Sequence, residues 1–308
     1  MMKLLPIVLA LFACSKKEAT SDVTPAPQAP AQAKPVAPQS PPAPPPSPPP
    51  PDTMSADARA YKILDAQLAA LRAGGDAIVP TFAPDAIVLV PDARAAKTAP
   101  MLRDAIVRTS PHEQVADIKI VKLVAGQRDG AVWWSGELAI TMTGGEPQTG
   151  QSGGAAHVRV TELATVDADW KVVAAAFSEP SKPSMQRAAP DSIPSTTDAG
   201  PISALAANAK QLDAALADDP SLAVFGTDPD EVGYGKAAAH ALVAKWAGAS
   251  FALQGKPREL HGKTWGLALQ NVDLNVPGDK YPSRMAGLLI AVPDGDAWRV
   301  VAAQYTSI

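Results

Sequence analysis

The order of apolar and polar residues changes from a helical to a strand period twice along the chain. After Ser55, apolar residues recur at helical spacing, at Ala60, Ile63, Leu64, Leu68 and Leu71. This spacing predicts a helix capped by Ser55 and ended by the glycines at 74–75. Two further short helices are predicted at 76–82 and 100–108, and strands at 86–90, 118–124, 131–142, 157–166 and 170–178.

The second part of the chain repeats this order with fewer residues at its front. Helices are predicted at 205–216 and 236–249, with a short strand at 222–225, and strands at 265–276, 284–292 and 298–306 follow. Helices first and an antiparallel meander afterwards are typical of the α+β class. We therefore expect two α+β domains of similar design.

One motif is repeated almost unchanged. Residues 170–178 read WKVVAAAFS, and residues 298–306 read WRVVAAQYT. Each copy follows an acidic turn and a strand-like segment with one arginine, Arg159 or Arg284. A repeat of this length indicates a duplicated domain, so any fold must suit both copies.

The N-terminus has the pattern of a lipoprotein signal. Lys3 precedes the apolar residues 4–13, a stretch too short to span a bilayer as a helix, and Cys14, the only cysteine, follows directly. The segment resembles the lipobox of bacterial lipoproteins, although Phe12 replaces the usual small residue. An ordinary secretory signal with an incidental cysteine is the alternative.

A proline-rich segment separates this signal from the predicted domains. Fourteen of the 27 residues from Pro25 to Pro51 are proline, which favours a semi-rigid spacer over a helix or sheet. The predicted boundaries are a signal peptide at 1–13, a tether at 14–53, domains at 54–181 and 202–308, and a linker at 182–201.

Composition limits the partners of the protein. The net charge is −4 and no run of Lys or Arg exceeds a pair, so nucleic-acid binding is not expected. We expect membrane attachment through lipidated Cys14. By resemblance to lipoprotein sorting, Ser15 after the cysteine favours the bacterial outer membrane.

Both predicted domains resemble the SnoaL-like branch of the NTF2-like superfamily. The resemblance rests on the segments 83–88, 159–162 and 170–173 in the first domain and 225–231 in the second. It implies a cone, in which a curved antiparallel sheet surrounds helices and leaves a cavity at its wide end. The family includes ketosteroid isomerases, dehydratases and polyketide cyclases beside many non-enzymatic binders.

The resemblance also implies where a catalytic group would lie. Many relatives carry a histidine in the last strand, where this chain has Ala176 and Gln304. This difference argues against an enzyme, and no catalytic residue is assigned.

Strand alternation gives the remaining candidates in the first domain. His157 and Arg159 share one face of their strand, and Glu137 lies on the preceding strand. Paired across the hairpin, Glu137 and Arg159 could form an ion pair or an anion site inside the cone. The alternative, which we favour, is a salt bridge on the outer face or a satisfied structural pair.

Trp134 and Trp265 lie in matching predicted strands and could line an aromatic pocket, or fill the core instead. Arg284 is a further candidate ligand-binding residue, but residues 267–270 offer it no acid. The four histidines lack metal-ligand spacing, so neither a metal nor a cofactor is expected.

These observations favour a lipid-anchored binding or interaction module for a small apolar or anionic ligand. Its two domains are expected to pack through their sheets as an internal pseudo-dimer. The first alternative is an isomerase, dehydratase or cyclase acting through a polar cavity of the first domain. The second is a purely structural envelope protein.

Overall fold

The protein is described by a computed structural model that covers residues 54–73, 76–89, 114–143, 155–180, 200–277 and 282–307. All of these belong to one compact unit, Asp52–Ile308. The predicted signal peptide, tether, helix at 100–108 and most of the linker lie outside the described residues. Residues 54–180 are called the first half below, and residues 200–307 the second half.

The first half begins with helix α1, Ala56–Arg72. The Ser55 hydroxyl accepts a hydrogen bond of 3.3 Å from the backbone N–H of Ala58, so the predicted cap is confirmed. The guanidinium of Arg59 lies 3.6 Å from the centroid of the Trp170 ring, so the helix contacts the first residue of the repeated motif. A 3₁₀ turn at Asp76–Thr81 replaces the second predicted helix.

Five strands form the first sheet: β1 Phe82–Leu89, β2 Gln114–Arg128, β3 Ala131–Thr143, β4 Ala155–Thr165 and β5 Lys171–Ser178. Their order is β1-β5-β4-β3-β2. The predicted antiparallel meander is confirmed for β2 to β5, but β1 pairs parallel to β5. The direction of β1 departs from the antiparallel sheet that the resemblance implied, because the period of a strand does not reveal its direction.

Three helices belong to the second half: α2 Pro201–Ala204, α3 Ala209–Ala215 and α4 Gly235–Lys245. The helix predicted at 205–216 is confirmed over Ala209–Ala215 but starts later than predicted, because Asn208 caps the start of α3. The buried Glu259 carboxylate holds the start of α2 by accepting from the backbone N–H groups of Ile202 and Ser203.

Six strands form the second sheet: β6 Ala223–Phe225, β7 Val232–Tyr234, β8 Ser250–His261, β9 Gly266–Asn275, β10 Ser283–Asp294 and β11 Ala297–Ser307. Their order is β7-β6-β11-β10-β9-β8, and β6 runs parallel to β11 as β1 does to β5. Strands β7 and β8 were not predicted. In β8 the pairing is irregular between Gln254 and Arg258, and Gly255 has φ of 71°, so apolar alternation fails there.

A β-bulge lies at the same place in both sheets. Val173 of β5 is the extra residue opposite residues 163–164 of β4. Val301 of β11 is the extra residue opposite residues 290–291 of β10. These are the second valines of the repeated motif, so the repeat coincides with a bend in the last hairpin.

Each sheet covers its own helices with one face. In the first half, Leu64 of α1 packs in one buried cluster with Val160 of β4. In the second half, Leu242 of α4 packs with Leu289 of β10. These helix-covered surfaces are called the inner faces.

The two outer faces pack against each other. A third buried cluster unites Trp133 and Leu163 of the first sheet with Leu269 and Ile290 of the second. The order of layers is therefore helix, sheet, sheet, helices, and the α+β class is confirmed. Within the described part of the chain, no helix is long and apolar enough to cross a membrane.

Candidate functional site

Strand β4 separates two environments because its successive side chains point to opposite faces. Val158 and Val160 belong to the inner core with α1, whereas Leu163 belongs to the core between the sheets. The same alternation places Glu162 on the inner face and Arg159 on the outer face. The strand therefore carries one ionisable side chain into each environment.

Glu162 is fully buried, and neither carboxylate oxygen has a hydrogen-bond partner among the described residues. Burial raises the pKa of Glu162 to about 8, an effect that the neighbouring Gln67 side chain partly offsets. Gln67 comes from α1, and its buried side chain lies close to the carboxyl group. The acid is therefore largely protonated at neutral pH.

Trp134 is the cross-strand partner of Glu162 and lies in the same inner core. Its indole Nε1 and the amide Nε2 of Gln67 are also buried without a partner among the described residues. Gln67, Trp134 and Glu162 are called the inner polar cluster below. Buried polar groups are nearly always paired in proteins, so a cluster of three unpaired ones is a candidate binding site.

Trp134 was among the candidates predicted from the sequence, whereas Glu162 and Gln67 were missed. A signal for Glu162 was present, because it occupies a position that should be apolar in the series Val158, Val160 and Ala164. Gln67 lies on the apolar face of α1 in the same way.

The structure brings Glu137, His157 and Arg159 together, but on the outer face. Glu137 and Arg159 are direct cross-strand partners, as the predicted register required. His157 Nε2 lies 3.2 Å from one Glu137 oxygen, and the Tyr234 hydroxyl donates to the other at 3.0 Å. Burial, with Glu137 beside it, raises the pKa of Tyr234, so its hydroxyl stays a donor.

Arg159 is 0% exposed and reaches into the second half. Its two terminal nitrogens donate to the carbonyl oxygens of Gly226 at 2.9 Å and Pro229 at 2.8 Å. Burial lowers the pKa of Arg159, and the carboxylates of Glu137 and Glu231 oppose that shift. Arg159 therefore bonds to the backbone of the second half. Its donors are taken up there, so it does not form the free anion site considered for the inside of the cone.

Glu231 shapes the loop that receives Arg159. Its carboxylate accepts from the backbone N–H groups of Thr227 and Asp228, at 2.8 and 3.0 Å, and from the Trp246 indole at 2.6 Å. A Cβ at Gly226 would lie 2.1 Å from a Glu231 oxygen, so only glycine fits there. The loop is thereby fixed with its carbonyl groups toward Arg159.

Arg284 does not correspond to Arg159. Aligned through the shared bulge, Arg159 pairs with Ser178, and the matching pair in the second sheet is Ala286 with Thr306. Arg284 is half-exposed and forms an ion pair of 3.4 Å with Asp273, its cross-strand partner. The expectation that no acid faces Arg284 is therefore wrong.

Trp265 and Trp134 do not line a common pocket. Trp265 precedes β9 and packs at the border of the core between the sheets, whereas Trp134 lies on an inner face. Trp133 points away from Trp134 and donates to the Ser221 hydroxyl of the second half at 3.0 Å. Among the described residues, no group of three His, Cys, Asp or Glu side chains could hold a metal ion.

No protein-family model matches the chain, and no curated protein matches it either. The similar solved structures are NTF2-like and ketosteroid isomerase-like folds at low coverage. One is a putative Ca/calmodulin-dependent kinase II association domain from Exiguobacterium sibiricum, with 14% identity over 43% of this chain and 98% of that one, and a TM-score of 0.34.

Two others have similar scores. A ketosteroid isomerase-like protein from Erwinia carotovora atroseptica is 15% identical over 40% of this chain and 94% of that one, with a TM-score of 0.32. An NTF2-like protein of unknown function from Pseudomonas putida is 18% identical over 32% of this chain and 71% of that one, with a TM-score of 0.28.

Proposed function

We propose that this protein is an envelope-anchored binding protein whose first half holds a small uncharged ligand at the inner polar cluster. The observation that carries the proposal is Glu162, whose two buried oxygens have no partner among the described residues. An unpaired acid in an apolar interior is costly unless something bonds to it. A bound ligand would supply that partner.

The chemistry of the cluster defines the ligand class. The Trp134 indole and the Gln67 amide nitrogen are hydrogen-bond donors, and a protonated Glu162 donates as well. Three donors in an apolar interior suit a neutral compound with a carbonyl or ether oxygen. Of the two ligand classes expected from the sequence, this arrangement supports an apolar one over an anionic one.

We also propose that the two halves are tandem NTF2-like domains arranged as an internal pseudo-dimer. Supporting observations are the shared strand order, the matching bulges and the common core between the sheets. In this arrangement the second half supports the strand that carries Glu162.

The anchoring part of the proposal rests on the sequence alone. The lone Cys14 after an apolar segment supports lipid attachment, and Ser15 supports an outer-membrane address. The proline-rich segment would then hold the folded unit away from the bilayer. Radiolabelled palmitate incorporated by the wild-type chain, but not by Cys14→Ser, would test this part.

The binding proposal is tested by native mass spectrometry. The full chain carrying Cys14→Ser is exposed to a small-molecule extract of bacterial cells and searched for retained mass. Trp134→Phe removes one donor of the cluster, and Trp133→Phe is a matched control on the opposite face. We expect the wild type and Trp133→Phe to retain a ligand and Trp134→Phe to lose most of it.

The proposal would be contradicted if the folded wild-type chain retained no compound from the extract and also bound no neutral carbonyl compound such as cyclohexanone. The structural envelope role would then be favoured. Equal retention by both tryptophan variants would place the ligand elsewhere.

One observation favours an enzyme as a second candidate. A carboxyl group with a pKa of about 8 can exchange protons near neutral pH, as a general acid or base must. An isomerase-type activity would exchange deuterium from water into the α-carbon of cyclohexanone faster with wild type than with Glu162→Gln. Equal rates for the two chains would exclude proton transfer by Glu162 to this ketone.

A further inference from the structure

The two edges of the second sheet differ in charge. The strand order places β7 at one edge and β8 at the other. Residues 213–245, which include β6, β7 and α4, contain six acids and two lysines. Residues 250–265, which include β8, contain one acid and three cations. The three cations, called the basic edge below, are Lys256, Arg258 and Lys263.

The single acid of this segment does not neutralise the basic edge. Glu259 is 4% exposed, and its carboxylate accepts from two backbone N–H groups at the start of α2. Lys256 and Lys263 are exposed, and Arg258 is half-buried. Neither Arg258 nor Lys263 forms an ion pair with a described residue. The segment therefore presents positive charge to the solvent.

Three exposed lysines elsewhere are each paired with an acid. The pairs are Lys119 with Asp117 at 3.5 Å, Lys236 with Asp218 at 2.8 Å and Lys245 with Asp230 at 3.7 Å. Opposite charges this close together largely cancel at longer range. The basic edge differs from these positions because two of its cations have no such acid.

The backbone of β8 is unsuited to pairing with a further strand. Its pairing with β9 is irregular between Gln254 and Arg258, and Gly255 has φ of 71°. Irregular pairing and lysines on an edge strand both oppose the addition of another strand. A partner that is recognised by charge alone does not need a straight edge. An anionic surface therefore fits the basic edge better than an added strand does.

We propose that the basic edge docks on the anionic headgroups of the bilayer to which the protein is attached. This inference rests on the proposed lipid anchor, which would keep the folded unit close to that bilayer. Each Lys or Arg near an anionic membrane strengthens binding about fivefold, so three of them together give roughly 100-fold. The docking surface shares no residue with the inner polar cluster.

The acids of the second half do not cancel this attraction. Six strands about 4.8 Å apart place the two edges of the sheet about 24 Å from each other. The Debye length is about 8 Å at physiological salt, so charges at the β7 edge are screened from a membrane at the β8 edge. The net charge of −4 therefore does not prevent docking through β8.

Sedimentation with lipid vesicles tests the proposal. The chain from Ser15 to Ile308 omits the predicted signal and Cys14 and keeps the compact unit Asp52–Ile308 whole. It is mixed with vesicles of phosphatidylcholine, or of phosphatidylcholine and phosphatidylglycerol in equal parts. At physiological salt we expect roughly 100-fold tighter binding to the mixed vesicles. This preference is lost at about 1 M salt, where the Debye length is about 3 Å.

A triple variant locates the docking surface. Lys256→Gln, Arg258→Gln and Lys263→Gln together remove the charge of the basic edge. We expect this variant to bind mixed vesicles no more tightly than phosphatidylcholine vesicles. Circular dichroism shows whether it keeps the wild-type fold.

A second triple variant is the matched control. It combines Lys119→Gln, Lys236→Gln and Lys245→Gln, which change the net charge by the same amount at positions outside the basic edge. We expect it to bind mixed vesicles within about twofold of wild type, because these lysines are paired with acids.

Equal binding of the wild type to both kinds of vesicle would overturn the proposal and leave the basic edge as a protection against strand pairing. Equal losses in the two triple variants would overturn it as well, because net charge rather than position would then decide. Binding to polyglutamate but not to vesicles would assign the edge to an acidic protein instead. The chain tested has no Cys14, so a failed palmitate test would refute the anchor without changing these results.

Discussion

At the scale of single residues, Glu162 has the largest consequence for the pH dependence of the protein. Its pKa of about 8 in the folded chain compares with 4.5 for an unperturbed glutamate. The folded state therefore binds one more proton than the unfolded state between these two values. The contribution of Glu162 to the free energy of unfolding is therefore largest below pH 4.5, and it is lost as the pH rises through 8.

We expect Glu162→Gln to abolish this loss. Removing the ionisable group should raise the free energy of unfolding at pH 9 by up to about 5 kcal/mol relative to wild type, and change it little at pH 5. Urea unfolding at both pH values measures the difference. Glu179→Gln, an exposed acid of the same half, serves as the control. An identical pH profile for wild type and Glu162→Gln would show that Glu162 is ionised in the folded chain at neutral pH.

The sequence correctly predicted which residues pair across β3 and β4, but not which face of the sheet they occupy. The pairing of Glu137 with Arg159 followed from the alternation of two neighbouring strands. Alternation divides residues between two faces but does not say which face meets the helices. Because both faces of the first sheet are buried, polarity could not identify the inner one.

At the scale of secondary-structure elements, the bulge in the last hairpin explains the repeated motif. Val173 and Val301 each add one unpaired residue to a strand, and this extra residue bends the strand without changing its register. The small residues after each valine then fit between closely packed sheets. The repeat thus encodes a local backbone feature that both halves need.

Deleting Val173 should therefore remove the bulge and straighten β5. Val172 and Ala174 already pair with neighbouring residues of β4, so the rest of β5 keeps its faces but loses the bend that it shares with β11. We expect a loss of ~1–3 kcal/mol in unfolding free energy. Deleting Glu179, just beyond β5, is the control, and circular dichroism with urea unfolding is the measurement. Equal stability of the two deletions would contradict the role of the bulge.

Element prediction was best where the pattern was long and regular. Helix α1 and strands β3 and β4 were found within a few residues of their bounds, because their periods run without interruption. Strand β8 was missed because it lies at an edge and is interrupted by Gly255. Edge strands lose one covered side and with it much of their alternation.

At the scale of the whole molecule, the two halves are joined by an apolar core and by a few buried polar contacts. Arg159 bridges to the loop of Gly226 and Pro229, and the Gln304 amide donates to the Arg159 carbonyl at 3.1 Å and to the Ser178 hydroxyl at 3.0 Å. Contacts of this kind fix the position of one sheet on the other.

Arg159→Met should weaken this junction. It leaves the buried carbonyl of Gly226 and the partly buried carbonyl of Pro229 without their donor, so we expect a loss of ~3 kcal/mol in unfolding free energy. The matched control is Arg284→Met, whose half-exposed ion pair with Asp273 should contribute less than ~1 kcal/mol. Urea unfolding followed by tryptophan fluorescence measures both. Equal losses in the two variants would show that Arg159 adds nothing beyond an exposed pair.

The sequence by itself determined the α+β class, most elements and the equivalence of the two last strands, because these follow from periodicity and from a repeated motif. Only the tertiary structure decided which side of each strand is the interior, and hence that Glu162, rather than Glu137 or Arg159, is an ionisable group of the inner face. It also decided that the candidate polar residues of the outer face join two sheets. Both outcomes depend on what packs against a strand, which the strand's own period does not contain.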